Sequence, residues 1–157
     1  MRRFTGFFRN ISWLMFLGVL VWTYSYLTSS LDYGIGNETI IYGFKDKDSF
    51  FFTALAIFIL VNAVCMGFTS VLVKIKTTED GVGIRNRNLK LDVIGWTKGF
   101  AAILNIMLSL TILFLVYLTF SEEYRIDAFF GYLVYLGPLL LAIWLGVLFK
   151  LIRKKRN

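Results

Sequence analysis

All the charged side chains of this 157-residue chain lie outside four stretches, 10–31, 49–73, 99–121 and 128–149, none of which contains Asp, Glu, Lys or Arg. The shortest of these are 22 residues long, and at about 1.5 Å per residue a helix of that length reaches roughly 33 Å, enough to cross a hydrocarbon layer of about 30 Å. Little of the chain is left for anything else. With 57% hydrophobic residues and a mean hydropathy of +0.68, it has too little polar surface for a water-soluble globule. The pattern predicts an all-α integral membrane protein, a single membrane domain over 1–157. Its four transmembrane helices are expected at 11–30, 50–73, 99–120 and 128–149, with an outer loop at 31–49, a cytoplasmic loop at 74–98 and a basic cytoplasmic tail at 150–157.

Orientation follows from the basic residues, because Lys and Arg near helix ends resist translocation whereas acidic residues matter little. Fourteen of the seventeen basic residues fall before the first stretch, between the second and third, or after the fourth. The other side holds three basic residues, Lys45, Lys47 and Arg125, and seven of the ten acidic ones. Both termini are therefore expected in the cytoplasm, in a cell (cytoplasmic or inner) membrane. Arg2, Arg3 and Arg9 before an apolar run also describe a cleavable leader. The length of that run, and the poor cleavage site offered by Thr28, Ser29 and Ser30, favour a retained helix.

What the chain lacks removes several classes of chemistry. It has no His, so imidazole bases, bis-imidazole haem and His-based zinc sites are excluded within this subunit, and neither cofactor nor metal is expected. Cys65 is the sole cysteine, which rules out an internal disulfide or a CxxC pair. No stretch interior carries a charge of the kind that couples a pump to ions or protons. The net charge of +7 comes from residues flanking the stretches, where they set topology and attract anionic lipid, so membrane lipids rather than nucleic acid are the expected partners. Arg153, Lys154, Lys155 and Arg156 form the densest such run and are assigned to lipid headgroups; a docking peptide for a cytoplasmic partner is the alternative.

An internal repeat is visible. Tyr26-Leu27-Thr28 with Ser30, Asp32 and Tyr33 matches Tyr117-Leu118-Thr119 with Ser121, Glu123 and Tyr124. The second and fourth stretches also align: Asp48, Phe50 and Phe51 fall on Asp127, Phe129 and Phe130, Ala63 on Ala142 and Gly67 on Gly146. Coincidence in a reduced alphabet is one explanation. The other is a tandem 2+2 arrangement of two helical hairpins about an axis along the membrane normal.

Small residues four apart share a helix face and let backbones approach where lipid supplies no hydrophobic drive. By this rule Ala63 with Gly67, and Gly131, Tyr135, Pro138, Ala142 and Gly146, are expected to face the bundle or a partner subunit. Gly18, Trp22, Ser25 and Ser29, and Ala102, Asn105 and Ser109, form the equivalent faces on the first and third stretches. Asn62 and Asn105 carry amides that must find partners in hydrocarbon, and Pro138 frees the carbonyl of Val134. These positions are either interhelical glue or the lining of a binding site. Tyr and Trp near the stretch ends form an aromatic belt. The outer loop suggests a short hairpin or lid around residues 33–43 and holds a glycosylation sequon at Asn37. The cytoplasmic loop suggests a turn at Glu79-Asp80-Gly81, and residues 89–96 are expected at the interface.

Three functions fit. The leading one is a non-catalytic integral membrane subunit that scaffolds, anchors or regulates a larger membrane assembly, partnered by another integral membrane protein or by itself. The second is a small oligomeric transporter or channel for an uncharged or lipidic solute, lined by Asn62, Asn105, Tyr135 and Pro138. The third is a membrane enzyme using the outer-face carboxylates Asp32, Glu123 and Asp127.

Overall fold

The computed structural model describes residues 2–32, 44, 46–75, 87–124 and 129–154. The expected outer lid, the sequon, the cytoplasmic turn, Asp127, Lys155 and Arg156 lie outside them, as do the side chains of Asp32, Ser29, Gly131, Glu122, Glu123 and Lys154. The described elements are four α-helices: α1 (Arg2–Asp32), α2 (Lys47–Lys74), α3 (Arg87–Tyr124) and α4 (Phe129–Lys154). Three of them contain spans long and apolar enough to cross a membrane, Phe4–Leu27, Lys47–Lys74 and Leu89–Leu118. In α4 the described apolar segment is the shorter Tyr135–Leu151. Residues 89–96, expected as an interfacial segment, are continuous with the rest of α3.

Helix ends follow local chemistry. Asp46 caps α2, its carboxylate accepting from the Ser49 backbone N–H at 2.6 Å and from the Ser49 hydroxyl at 2.8 Å, which supplies acceptors for donors that have no partner within the first helical turn. The Ser49 N–H is the main reason the Asp46 carboxyl sits below its ordinary value. At the other end, the Lys90 ammonium of α3 donates to the carbonyls of Val73 and Ile75, both at 2.6 Å. A cation on carbonyls left open by the helix end offsets the negative pole of α2.

Contacts between named residues set the directions. Thr5 lies against Gly95, and Ser12 bonds Asn105, so α1 and α3 run the same way. Trp13 bonds Asn62 and Tyr24 bonds Asp48, so α2 runs opposite to α1. Trp96 meets Trp144 and Gly137 meets Met107, so α4 runs opposite to α3. The start of α1 and the end of α4 thus share one end of the bundle.

α3 is the central element, against which α1, α2 and α4 all pack. A twofold-related pair of hairpins would match the α2–α3 contact with an α1–α4 contact, yet among the described residues α4 packs on α3 alone. α1 buries a single stripe, Thr5, Ser12, Phe16, Leu20, Thr23 and Leu27, and α2 buries Phe50, Phe58, Asn62, Cys65 and Leu72. Spacings of three, four, seven and eight keep each set on one helical face. A hydrophobic core cluster joins Phe16, Leu20 and Leu27 to Phe50, Phe58, Ile112 and Val116. Phe16 and Phe58 stack at 4.3 Å between ring centroids and 3° between planes, a contact worth about 1 kcal/mol beyond the area it buries. The opposite faces, such as Leu14, Ile59, Leu60 and Val64, are exposed and apolar, as a lipid-facing surface requires.

Candidate functional site

Next to the aromatic cluster, toward the end of the bundle that carries the start of α1, lies a layer of polar side chains. Asn62 and Asn105 form a reciprocal amide pair: Asn62 Nδ2 donates to Asn105 Oδ1 at 2.9 Å, and Asn105 Nδ2 donates to Asn62 Oδ1 at 3.3 Å. Asn62 Nδ2 also donates to the Phe58 carbonyl at 2.8 Å, and its Oδ1 accepts from Trp13 Nε1 at 2.8 Å. Asn105 Nδ2 reaches Ser12 Oγ at 3.2 Å, while the Ser12 hydroxyl donates to the Arg9 carbonyl at 2.7 Å. Ser109 donates to the Asn105 carbonyl at 2.9 Å. Three helices contribute, and both amides use all their polar atoms within the layer. In a medium without water, such closure is what makes a buried amide tolerable.

One step further toward that end, α1, α2 and α3 together enclose a narrow cleft lined by Arg9, Asn62, Cys65, Met66, Thr69, Thr97, Lys98 and Ala101. Its internal volume is about 10 Å³, room for no more than about one water molecule. The Arg9 guanidinium lies 5.6 Å from the Trp13 ring centroid, a cation–π arrangement. Among the described residues, Arg9 Nε and Thr23 Oγ1 are buried atoms with no hydrogen-bond partner. A separate recess of about 90 Å³ between α2 and α3 is lined by Phe44, Phe50, Ile57, Leu108, Ile112 and Leu115 among others, and is almost wholly apolar. No group of three His, Cys, Asp or Glu side chains able to hold a metal occurs among the described residues.

α4 is held differently. Trp96 Nε1 donates to the Trp144 carbonyl at 2.9 Å and Trp144 Nε1 to the Trp96 carbonyl at 3.1 Å, so each indole reaches across to the opposite backbone. Gly99 makes the approach feasible: a Cβ there would overlap Trp144 Cζ2. Gly137 plays the matching part toward Met107, 2.9 Å from where its Cβ would be.

The structure splits the residues singled out from sequence. Asn62 and Asn105 are buried and bonded to each other, and Ala102 and Ser109 are buried on the Asn105 face. Ala63, Gly67, Tyr135, Pro138, Ala142 and Gly146 are all exposed on the outer surface of the chain, and nothing lies within 4 Å of a Cβ built on Gly67 or Gly146. Gly18, Trp22 and Ser25 also face outward, because the inward stripe of α1 runs through Thr5, Ser12 and Thr23 instead. Arg153 is exposed. Tyr135 and Pro138 therefore share no cavity with the asparagines. Sequence reasoning missed the Gly99–Trp144 and Gly137–Met107 approaches: Gly95 and Gly99 stand four apart but went unread as a pair, and Gly137 has Leu on either side at that spacing. It also missed the cleft residues Arg9 and Lys98, whose position beside Trp13 and Thr97 was the available signal.

These features define a helical membrane protein. No protein-family model matches the chain, and none of the curated proteins or solved structures compared with it is similar to it.

Proposed function

We propose that the chain is a non-catalytic integral membrane subunit, a four-span bundle with both termini in the cytoplasm, that scaffolds, anchors or regulates a larger assembly in the cell membrane. The observation carrying this is the state of α4. It packs on α3 alone among the described residues, and its Tyr135, Pro138, Ala142 and Gly146 side stands open. A helix held along one side, with small residues on the other, suits a second membrane helix at close range. The spent hydrogen-bonding capacity of the asparagine layer supports the same reading, since amides bonded to one another across helices act as interhelical glue. Four spans and cytoplasmic termini are supported by the skewed basic residues and by the antiparallel order of the helices.

Purification in mild detergent tests it. A different membrane protein is expected to co-purify in fixed stoichiometry, and paired Ala142→Leu and Gly146→Leu substitutions are expected to release it while α4 stays docked on α3. A homo-oligomer that moves solute across liposomes overturns the proposal in favour of a transporter. An activity abolished by replacing Asp32, Glu123 or Asp127 with assembly intact favours an enzyme.

A further inference from the structure

The cleft at the α1-start end of the bundle has a composition that the scaffolding reading does not use. Arg9 and Lys98 come from two different helices, and every other lining residue is uncharged, Asp and Glu being absent from the set. The Thr69 hydroxyl donates to the Cys65 carbonyl at 2.8 Å and the Thr97 hydroxyl to the Val93 carbonyl at 3.0 Å. Their protons are thus spent on their own helices, and the strong donors that remain belong to the two cations, the Cys65 thiol being a weak one. Arg9 falls inside the apolar span Phe4–Leu27, and its Nε is buried without an acceptor. A desolvated guanidinium donor at the margin of the hydrocarbon is costly unless an anion answers it. The Trp13 face compensates only part of the charge.

We propose that Arg9 and Lys98 hold the phosphate of an anionic phospholipid headgroup at the mouth of this cleft. An internal volume of about 10 Å³ is too small for a phosphate, so the headgroup sits at the opening of the cleft that Arg9 and Lys98 both line. Cys65, Met66 and Ala101 line the same cleft, and Met66 is exposed. This apolar rim favours an anion that brings its own acyl chains over a free one. Basic pockets between membrane helices recognise lipid headgroups on this principle. The site is separate from Lys150 and Arg153, the exposed basic residues near the end of α4.

The test uses the full chain in phosphatidylcholine nanodiscs with increasing phosphatidylglycerol, bound lipid being counted by native mass spectrometry. Arg9→Gln and Lys98→Gln are each expected to weaken phosphatidylglycerol retention about fivefold. The tail pair Lys150→Gln with Arg153→Gln, which removes twice the charge of either, is expected to change it less than about twofold. An equal or larger effect from the tail pair, or equal retention of phosphatidylcholine, overturns the proposal. Displacement of the lipid by millimolar inorganic phosphate overturns it in favour of a free-anion site. Should Arg9→Gln fail to fold by circular dichroism and gel filtration, the folded Lys98→Gln variant decides: unchanged retention there refutes the site.

Discussion

Asn62 and Asn105 form one pair, yet their removal has unequal consequences. Asn62→Ala deletes the acceptor of Trp13 Nε1 and the sole partner of Asn105 Oδ1, leaving two polar groups stranded; Asn105 Nδ2 keeps only Ser12. Asn105→Ala strands neither partner: Asn62 Nδ2 keeps the Phe58 carbonyl, Asn62 Oδ1 keeps Trp13, and the Ser12 hydroxyl keeps the Arg9 carbonyl. Both substitutions delete the same atoms from buried positions, so the cavity contributions largely cancel. A stranded buried group costs about 1–3 kcal/mol, and interhelical hydrogen bonds in membranes average about 0.6 and reach about 1.7 kcal/mol. Taking about 1 kcal/mol for each stranded group, Asn62→Ala is expected to destabilise the bundle by about 2 kcal/mol more than Asn105→Ala. Asn105 is the more deeply buried of the two, at 0% exposure against 6%, so burial alone predicts the reverse order. Reversible unfolding in mixed micelles of rising dodecyl sulfate content measures the difference. Trp13→Phe supplies the cross-check, because in the Asn62→Ala background it removes a stranded donor and is expected to be neutral or stabilising, whereas alone it is destabilising. An Asn105→Ala variant as unstable as Asn62→Ala, or a Trp13→Phe cost that is the same in both backgrounds, refutes the hydrogen-bond account.

Gly99→Ala drives a methyl group into the Trp144 ring and is expected to cost about 1–3 kcal/mol in α3–α4 packing, read as loss of crosslinking between cysteines placed on α3 and α4; Gly146→Ala, which meets nothing, leaves crosslinking unchanged. Lys90→Met removes the ammonium from the Val73 and Ile75 carbonyls and is expected to speed hydrogen exchange over the last turn of α2, with α1 unaffected. Asp46 has a depressed carboxyl pKa, so the stability it lends to the start of α2 is complete above its ordinary value of 3.8 and is lost as pH falls through the lower folded value. Exchange at Ser49 and Phe50 is therefore expected to rise only in that acid range, and Asp46→Asn is expected to abolish the pH dependence while keeping an acceptor for the cap.

Helical content and antiparallel order were legible because charge exclusion is a strong signal in a membrane chain. The inward face of each helix was much less so. In water an apolar stripe marks the core, but in lipid both faces of a helix are apolar, and hydropathy no longer separates them. The third helix was read correctly because Asn105 and Ser109 are polar enough to have no comfortable place in lipid. On α1 a glycine at position 18 drew attention, although the hydroxyls of Thr5, Ser12 and Thr23 mark the buried stripe. The pairing of Asn62 with Asn105 was beyond reach, since it depends on how far α2 slides along α3. Gly99 and Gly137 show that a glycine can admit a single large side chain from the facing helix, the flat Trp144 ring in one case and Met107 in the other.

The bundle is graded along its length and divided across its width. Along α1–α3 an aromatic layer around Phe16 and Phe58 gives way to the asparagine layer and then to the basic cleft, so each layer meets a different depth of the bilayer. Across the width, the amide pair and its Trp13 and Ser12 partners join α1, α2 and α3, whereas α4 is joined to α3 through the tryptophan clamp and two glycines. The two attachments share no side chain among the described hydrogen bonds. Perturbations should separate accordingly: substitutions in the amide layer change the unfolding of α1–α3, and substitutions on the open side of α4 change what the chain holds without changing that unfolding. If Ala142→Leu with Gly146→Leu lowered the unfolding midpoint as much as Asn62→Ala does, the open side of α4 would be part of the core, and its availability for a partner helix would be lost as an explanation.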